Sequence, residues 1–141
     1  MAWQQLSLSD AQQNKYYGFG GWLLFFWLLD LFGVIFMVWQ KLYPSPVPAG
    51  SPEITWAQVV ISVAGTVPFL VLAPLKHRSM PKLTIWAFCI SAVLSIAINF
   101  RQGIGYALFT LVVSVISIAL IQWYLTASKR VNATYRHRSP A

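Results

Sequence analysis

The chain has 141 residues, of which 57% are hydrophobic and only 9% are charged, whereas an ordinary soluble domain carries about 25% charged residues. A soluble protein of this size buries only about two-thirds of the surface that its unfolded chain exposes. Composition therefore excludes an ordinary soluble domain and favours an integral membrane protein. The net charge of +7 does not indicate a nucleic-acid partner, because the cations lie beside apolar segments, as topology signals do.

The predicted elements begin with a polar cytoplasmic segment at residues 1–16, whose few apolar residues do not decide between a short interfacial helix and disorder. The predicted membrane domain occupies residues 17–125. A helix that crosses the hydrocarbon core needs roughly 20 mostly apolar residues, and its backbone polar groups must be satisfied within the segment. Four segments fit this description, at about 18–39, 56–75, 83–100 and 103–124. A basic cytoplasmic tail is predicted at residues 126–141.

The distribution of lysine and arginine predicts the orientation. With the N-terminus in the cytoplasm, 8 of the 10 cations fall on the inner side. The inner cations are Lys15, Lys76, Arg78, Lys82, Lys129, Arg130, Arg136 and Arg138. Only Lys41 and Arg101 fall outside. Because cytoplasmic loops carry the excess of cations, the predicted fold is an all-α, polytopic four-helix transmembrane bundle with both termini in the cytoplasm.

The two external connections differ in kind. Residues 41–55 contain four prolines, which favour an extended spacer over a helix. A docking strip for an external partner is the alternative interpretation. The third and fourth spans are joined only by Arg101, Gln102 and Gly103, and so short a link predicts an antiparallel hairpin.

Asp30, near the middle of the first span, is the most informative single residue. A carboxylate at that depth costs about 3 kcal/mol on insertion scales, so its side chain should face the bundle or a wet cavity. One interpretation is a proton or cation site. The other is a structural hydrogen bond to a hydroxyl of another span, and the candidates are Ser62, Thr66, Ser91, Ser95 and Ser114.

Small polar residues recur every four positions in two spans. Ser91, Ser95 and Asn99 follow this spacing in the third span, and Ser62 and Thr66 follow it in the second. Residues four apart share a helix face. Such a stripe favours close helix packing with weak interhelical hydrogen bonds, and a polar permeation path is the alternative.

The sequence contains no signature of an enzyme. There is no His-Glu-x-x-His pair, no Gly-x-Ser-x-Gly turn and no Walker loop. A single intramembrane acid excludes a two-aspartate protease, and metal ligands at useful spacing are lacking. We therefore predict no enzyme activity, no catalytic or metal-binding residue and no cofactor.

Two stretches resemble a known family. One is residues 17–24 at the start of the first span, with the motif Gly20, Gly21 and Trp22; the other is residues 124–135 after the last span, with the motif Ser128, Lys129 and Arg130. Both motifs are similar to those of domain-of-unknown-function family 2569, which comprises small bacterial membrane proteins with about four spans. The resemblance implies a bacterial inner-membrane location. It supplies no activity, ligand or catalytic residue.

The two motifs also have a physical interpretation. The glycines leave room for a close helix approach or a bend before Trp22. The cations after the last span favour a helix C-terminus and anionic lipid. Both motifs lie on the predicted cytoplasmic side, where they could meet and form a docking surface, although anchoring chemistry alone would give the same pattern.

Two functions follow from the sequence as alternatives. The first is a non-catalytic accessory, assembly or interaction protein of the bacterial inner membrane. Its partners would be the lipid bilayer and other membrane proteins or further copies of the chain. The second is a small oligomeric proton-coupled transporter that uses Asp30, which is similar to small multidrug-resistance transporters in architecture only.

Overall fold

A computed structural model describes residues 3–44 and 53–140. Over these residues the chain forms six helices and a two-stranded ribbon. The elements are β1 (Trp3–Gln5), α1 (Leu8–Gln13), α2 (Trp22–Leu42), α3 (Trp56–Leu72), α4 (Met80–Gln102), α5 (Ile104–Ala127), α6 (Lys129–Tyr135) and β2 (Arg138–Pro140). Three helices, α2, α4 and α5, are long and apolar enough to cross a membrane, and α3 is a shorter apolar helix of 17 residues. The predicted helical membrane protein is confirmed at this level.

The ends of the four helices differ from the predicted spans by one to four residues, apart from the start of α3 at Trp56. Two of these differences have a backbone reason. The helix α2 begins at Trp22 rather than near residue 18, because Gly21 adopts a φ of +60°, a left-handed conformation that a helix does not continue through. The helix α3 ends at Leu72, since Pro74 has no N–H to donate. Residues 45–52, which hold most of the predicted proline spacer, lie outside the described residues.

The four long helices run antiparallel in chain order. The helix α2 packs against α3, α3 against α4, and α4 against α5. The helices α3 and α4 approach closely, because a Cβ placed on Gly65 would lie 2.6 Å from the Cβ of Ser91. Ser91 also donates its hydroxyl hydrogen to the carbonyl of Ile61 at 2.9 Å. Ser91, a member of the stripe of small polar residues in α4, therefore serves the packing of α3 against α4.

The segments at both ends of the described chain fold together as a cap, which we define as β1, α1, α6 and β2. The strand β1 pairs antiparallel with β2, with Trp3 opposite Pro140. The cap lies where α2 and α4 begin and where α3 and α5 end. Its Tyr135 binds Ala73, just after α3, and its Thr134 binds Gly18, just before α2. Residues 126–141 are therefore not an extended tail over their described part, since α6 is largely buried.

The apolar core lies at the junction between the cap and the helices. Its buried members are Leu23, Phe69, Ala73, Met80, Leu125, Val131 and Tyr135. Away from this junction most large apolar side chains of the long helices are exposed. In a membrane this exposure needs no protein partner, because lipid tails are as apolar as leucine.

Candidate functional site

A cavity of about 630 Å³ lies among α2, α3, α4 and α5. Its lining combines apolar side chains with a carboxyl group and a set of hydroxyl groups. The polar members are Asp30, Ser62, Thr66, Thr84, Ser91, Ser95, Ser114 and Ser117. A cavity of this size and composition falls within the range of small-molecule sites, which are mostly apolar with a few polar groups.

Asp30 reaches this cavity without a structural hydrogen bond. Its Oδ2 atom is buried and has no hydrogen-bond partner among the described residues. Two of the predicted partner hydroxyls are directed elsewhere. Thr66 donates to the carbonyl of Ser62 in its own helix at 3.2 Å, and Ser91 donates to the carbonyl of Ile61. The structure thus brings Asp30 and all five candidate hydroxyls to one cavity and leaves the carboxyl group unengaged.

Thr84 is a second polar group of the cavity without a partner. Its side chain is fully buried, and its Oγ1 has no hydrogen-bond partner among residues 3–44 and 53–140. A buried unpaired hydroxyl costs about 1–3 kcal/mol. Thr84 lies seven residues, about two helical turns, before Ser91 and so shares its face of α4, whereas steps of four residues before Ser91 reach Ala87 and Leu83.

The exposed lining residues of the cavity lie on α2 and α5. The lining residues Leu29, Leu120 and Trp123 are 60%, 60% and 69% exposed, and they lie on these two helices. Toward the cap the cavity is closed by Leu23 and Leu125, which are both buried. Both of these helices are long and apolar enough to cross a membrane.

A second cavity, of about 730 Å³, lies at the end of the helices opposite the cap. A chain of amide and hydroxyl groups borders it. Gln58 donates through Nε2 to Oδ1 of Asn99 at 2.6 Å, and Asn99 donates through Nδ2 to Oγ1 of Thr110 at 2.7 Å. Ser62 and Ser95 line both cavities. Polar side chains thus continue from the uncapped end of the helices to the Asp30 cavity.

The two motif stretches of the sequence meet at the cap. A Cβ on Gly20 would lie 3.5 Å from Nη1 of Arg130, and a Cβ on Gly21 would lie 3.6 Å from its Nε. The N–H of Gly18 donates to Oγ1 of Thr134 at 2.9 Å. The guanidinium group therefore lies within van der Waals distance of the position that a Cβ would take at either glycine.

The other motif residues have separate roles. Ser128 caps α6, because its hydroxyl accepts the N–H of Val131 at 3.4 Å. The ammonium group of Lys129 lies 5.8 Å from the ring centre of Tyr16. Trp22 is 68% exposed, so it does not join the contact between the two stretches but faces outward at the start of α2.

Tyr135 fastens the cap to α3 and was not found by sequence reasoning. Its hydroxyl donates to the carbonyl of Ala73 at 2.7 Å. Burial raises the pKa of Tyr135 above its ordinary value, so the hydroxyl stays a neutral donor. Trp27 of α2 also binds the end of α3, since its Nε1 donates at 2.8 Å to the carbonyl of Leu70. That carbonyl lacks its normal helical donor, because Pro74 has no N–H.

The chemistry of the Asp30 cavity is that of a single acid surrounded by hydroxyls. Such a group can pair with a cation or exchange a proton, and the lining also holds the phenol hydroxyl of Tyr124. Across the part of the chain that the structure describes, no cluster of three or more His, Cys, Asp or Glu residues could hold a metal ion. No protein-family model, curated protein or solved structure matches this chain.

Proposed function

We propose that this chain is a non-catalytic accessory or interaction protein of the bacterial inner membrane, with four spans and both termini in the cytoplasm. The observation that supports it most directly is the cap. Segments from both ends of the described chain fold into one unit there, and α6 buries residues 131–135. A folded unit at one end of the helices offers a defined surface to another protein.

The four-span arrangement is supported by the packing of α3. It has 17 residues, which at 1.5 Å per residue is about 26 Å, slightly below the roughly 30 Å hydrocarbon core. It packs between α2 and α4, and a small mismatch is accommodated by modest bilayer thinning. A spanning α3 also keeps the basic segments on one side, as the positive-inside rule requires.

The exposed cations of the cap and of the adjoining turn indicate the partner's chemistry. Lys15, Lys129 and Arg78 are exposed at this end of the protein. The part of the chain that the structure describes places only Asp10 and Glu53 among exposed acids, and Glu53 lies at the opposite end. We propose a membrane protein with an acidic cytoplasmic surface as the partner, because complementary charge guides association.

Charge reversal on the cap tests this proposal. The full chain is purified by affinity in mild detergent together with Lys129→Glu and with Lys41→Glu, the matched control at the opposite end. Glutamate at the first position of α6 suits a helix N-terminus, so the fold should persist. We expect a partner with the parent and with Lys41→Glu, and its loss with Lys129→Glu. Recovery of a lone monomer in several detergents would contradict the proposal.

Reporter fusions test the proposed orientation. A reporter that works only in the cytoplasm should be active when fused after Ala141 and inactive when inserted at Ala49. The reason is that four spans return the C-terminal segment to its starting side and place residue 49 outside. If both fusions report the same side, the number of spans is wrong.

The Asp30 cavity favours a second candidate function, a small oligomeric proton-coupled transporter. Asp30→Asn keeps the size and hydrogen-bonding ability of the side chain but cannot titrate. In reconstituted vesicles, proton-coupled flux should be abolished in this variant and retained in Asp10→Asn, which changes an acid of the cap instead. An absence of pH-dependent flux in the parent, or a flux unchanged by Asp30→Asn, would reject this candidate.

The similarity to family 2569 belongs to the same proposal. The similarity rests on the two motifs. The two motifs are in contact, since the guanidinium group of Arg130 lies over Gly20 and Gly21. An alanine Cβ would meet this group at ordinary van der Waals distance, so only a longer side chain at either glycine would have to displace it. Coupled change of these positions in related sequences would support the assignment, and independent variation would oppose it.

A further inference from the structure

We propose that the Asp30 cavity binds a lipophilic monovalent cation, meaning a molecule with one ammonium group on an apolar body, that enters from the membrane between α2 and α5. This site goes beyond the accessory function and does not depend on it. It also requires no transport, because binding alone satisfies the groups that the structure leaves without partners.

Charge is the first argument. The residues that line the cavity include Asp30 and no lysine, arginine or histidine. An ionised carboxylate in a low-dielectric site is costly unless it is paired or neutralised. Protein side chains at the cavity supply no positive partner, so the compensating charge has to come from a bound proton or a bound cation.

The unpartnered atoms specify the kind of cation. Oδ2 of Asp30 and Oγ1 of Thr84 are both buried, both border this cavity, and both lack hydrogen-bond partners among the described residues. A carboxylate oxygen is an acceptor, and a hydroxyl can accept as well as donate. An ammonium group with N–H donors can pair with the carboxylate of Asp30 through a hydrogen bond, whereas a quaternary ammonium group has no N–H to donate.

The remaining lining fits an apolar body. Phe26, Phe69 and Phe88 contribute aromatic rings, and further walls are aliphatic. Aromatic faces attract cations when water is excluded, and apolar walls favour the rest of the molecule. The volume of about 630 Å³ has room for a small organic molecule.

The lateral opening identifies the route. Leu29, Leu120 and Trp123 border the cavity and are exposed on α2 and α5. A molecule that partitions into the bilayer reaches this opening without crossing the aqueous phase. This lateral route favours amphipathic amines, which partition into the bilayer.

The test is equilibrium binding to the full chain in nanodiscs of zwitterionic lipid. The probe is dansylcadaverine, a fluorescent aromatic primary ammonium compound, and binding is followed by fluorescence anisotropy with empty nanodiscs as background. The N-acetylated probe, which is neutral, is measured in parallel. We expect saturable binding of the amine and at least a tenfold weaker binding of the acetylated compound.

Variants connect this binding to the cavity. Asp30→Asn should weaken binding of the amine at least tenfold, Thr84→Val severalfold, and Asp10→Asn not at all. Asp30→Glu, which keeps the charge, should retain binding and shows that a loss in Asp30→Asn does not come from misfolding. Equal binding of both probes, or binding unchanged by Asp30→Asn, would show an apolar or lipid-filled cavity and would overturn the proposal.

Discussion

The cap and the long helices are stabilised by opposite means. The helix α6 has seven residues, and five of them, residues 131–135, are buried. The helix α2 has 21 residues and buries only Leu23. The helix α6 is packed like part of a soluble domain, whereas the long helices turn their apolar side chains outward, where lipid replaces a core. The cap should therefore depend on individual buried side chains, and the long helices on close backbone approach and on a few polar contacts.

Removing the Tyr135 side chain should give the largest effect. Tyr135→Ala deletes a buried ring of the core and its hydrogen bond to Ala73, which should destabilise the cap by about 3–5 kcal/mol. Tyr135→Phe removes only the hydroxyl and should cost about 1 kcal/mol. Thermal unfolding in detergent and limited proteolysis of the cap measure both. Equal losses in the two variants would contradict packing as the main source of cap stability.

Gly65→Ala tests the long helices. The new Cβ would lie 2.6 Å from Cβ of Ser91, so α3 and α4 must separate, at a cost of about 1–3 kcal/mol. Gly33→Ala is the matched control, because a Cβ at Gly33 meets nothing within 4 Å and alanine favours a helix. Denaturant titration in mixed micelles compares them. If Gly33→Ala destabilises as much as Gly65→Ala, close approach is not what holds these helices.

Thr134→Val tests the link between the cap and the segment before α2. Valine keeps the shape but removes the hydroxyl that accepts from the N–H of Gly18 at 2.9 Å. The unpaired N–H should cost about 1–2 kcal/mol. Hydrogen exchange at Gly18 should speed up in Thr134→Val and stay near the parent rate in Thr134→Ser. Unchanged exchange in the valine variant would mean that this bond does not protect the segment.

His137 should give the smallest effect, and one limited to the cap. Burial, followed by the positive charge of Arg78, lowers the pKa of His137 below its ordinary 6.5. The folded cap then binds this proton more weakly than the unfolded chain does. Its contribution to stability is complete above pH 6.5 and is lost as the pH falls through the lowered folded value. The drop in cap melting temperature between pH 8 and pH 5 should be smaller in His137→Gln than in the parent. An equal drop in both would show that His137 does not contribute to the pH dependence.

Hydropathy predicts the long helices well, because the apolar character of each helix is visible in its own stretch of sequence. The start of α2 and the end of α3 were missed by a few residues for reasons also present in the sequence, Gly21 and Pro74. The free-energy cost of a carboxylate in the hydrocarbon core was enough to assign Asp30 to the interior. Its lack of a hydrogen-bond partner could not be predicted, since it depends on where Thr66 and Ser91 direct their hydroxyls.

The cap could not be predicted from local pattern. Residues 129–135 contain two cations and few large apolar side chains, which is typical of an exposed tail. Their burial depends on contacts with residues far away in the chain, such as Gly18 and Ala73. Single-sequence periodicity carries no information on pairing over such separations, and the same holds for the ribbon of β1 and β2.

That ribbon has a consequence for the timing of biosynthesis. Gln5 in β1 is paired with Arg138 in β2, and a ribosome that adds 5–20 residues per second needs on the order of ten seconds to make the chain between them. All the long helices are synthesised within that interval. The cap must therefore be the last part of the protein to fold, after membrane insertion is under way. Until then its early segments remain available to chaperones, proteases and neighbouring chains at the membrane surface.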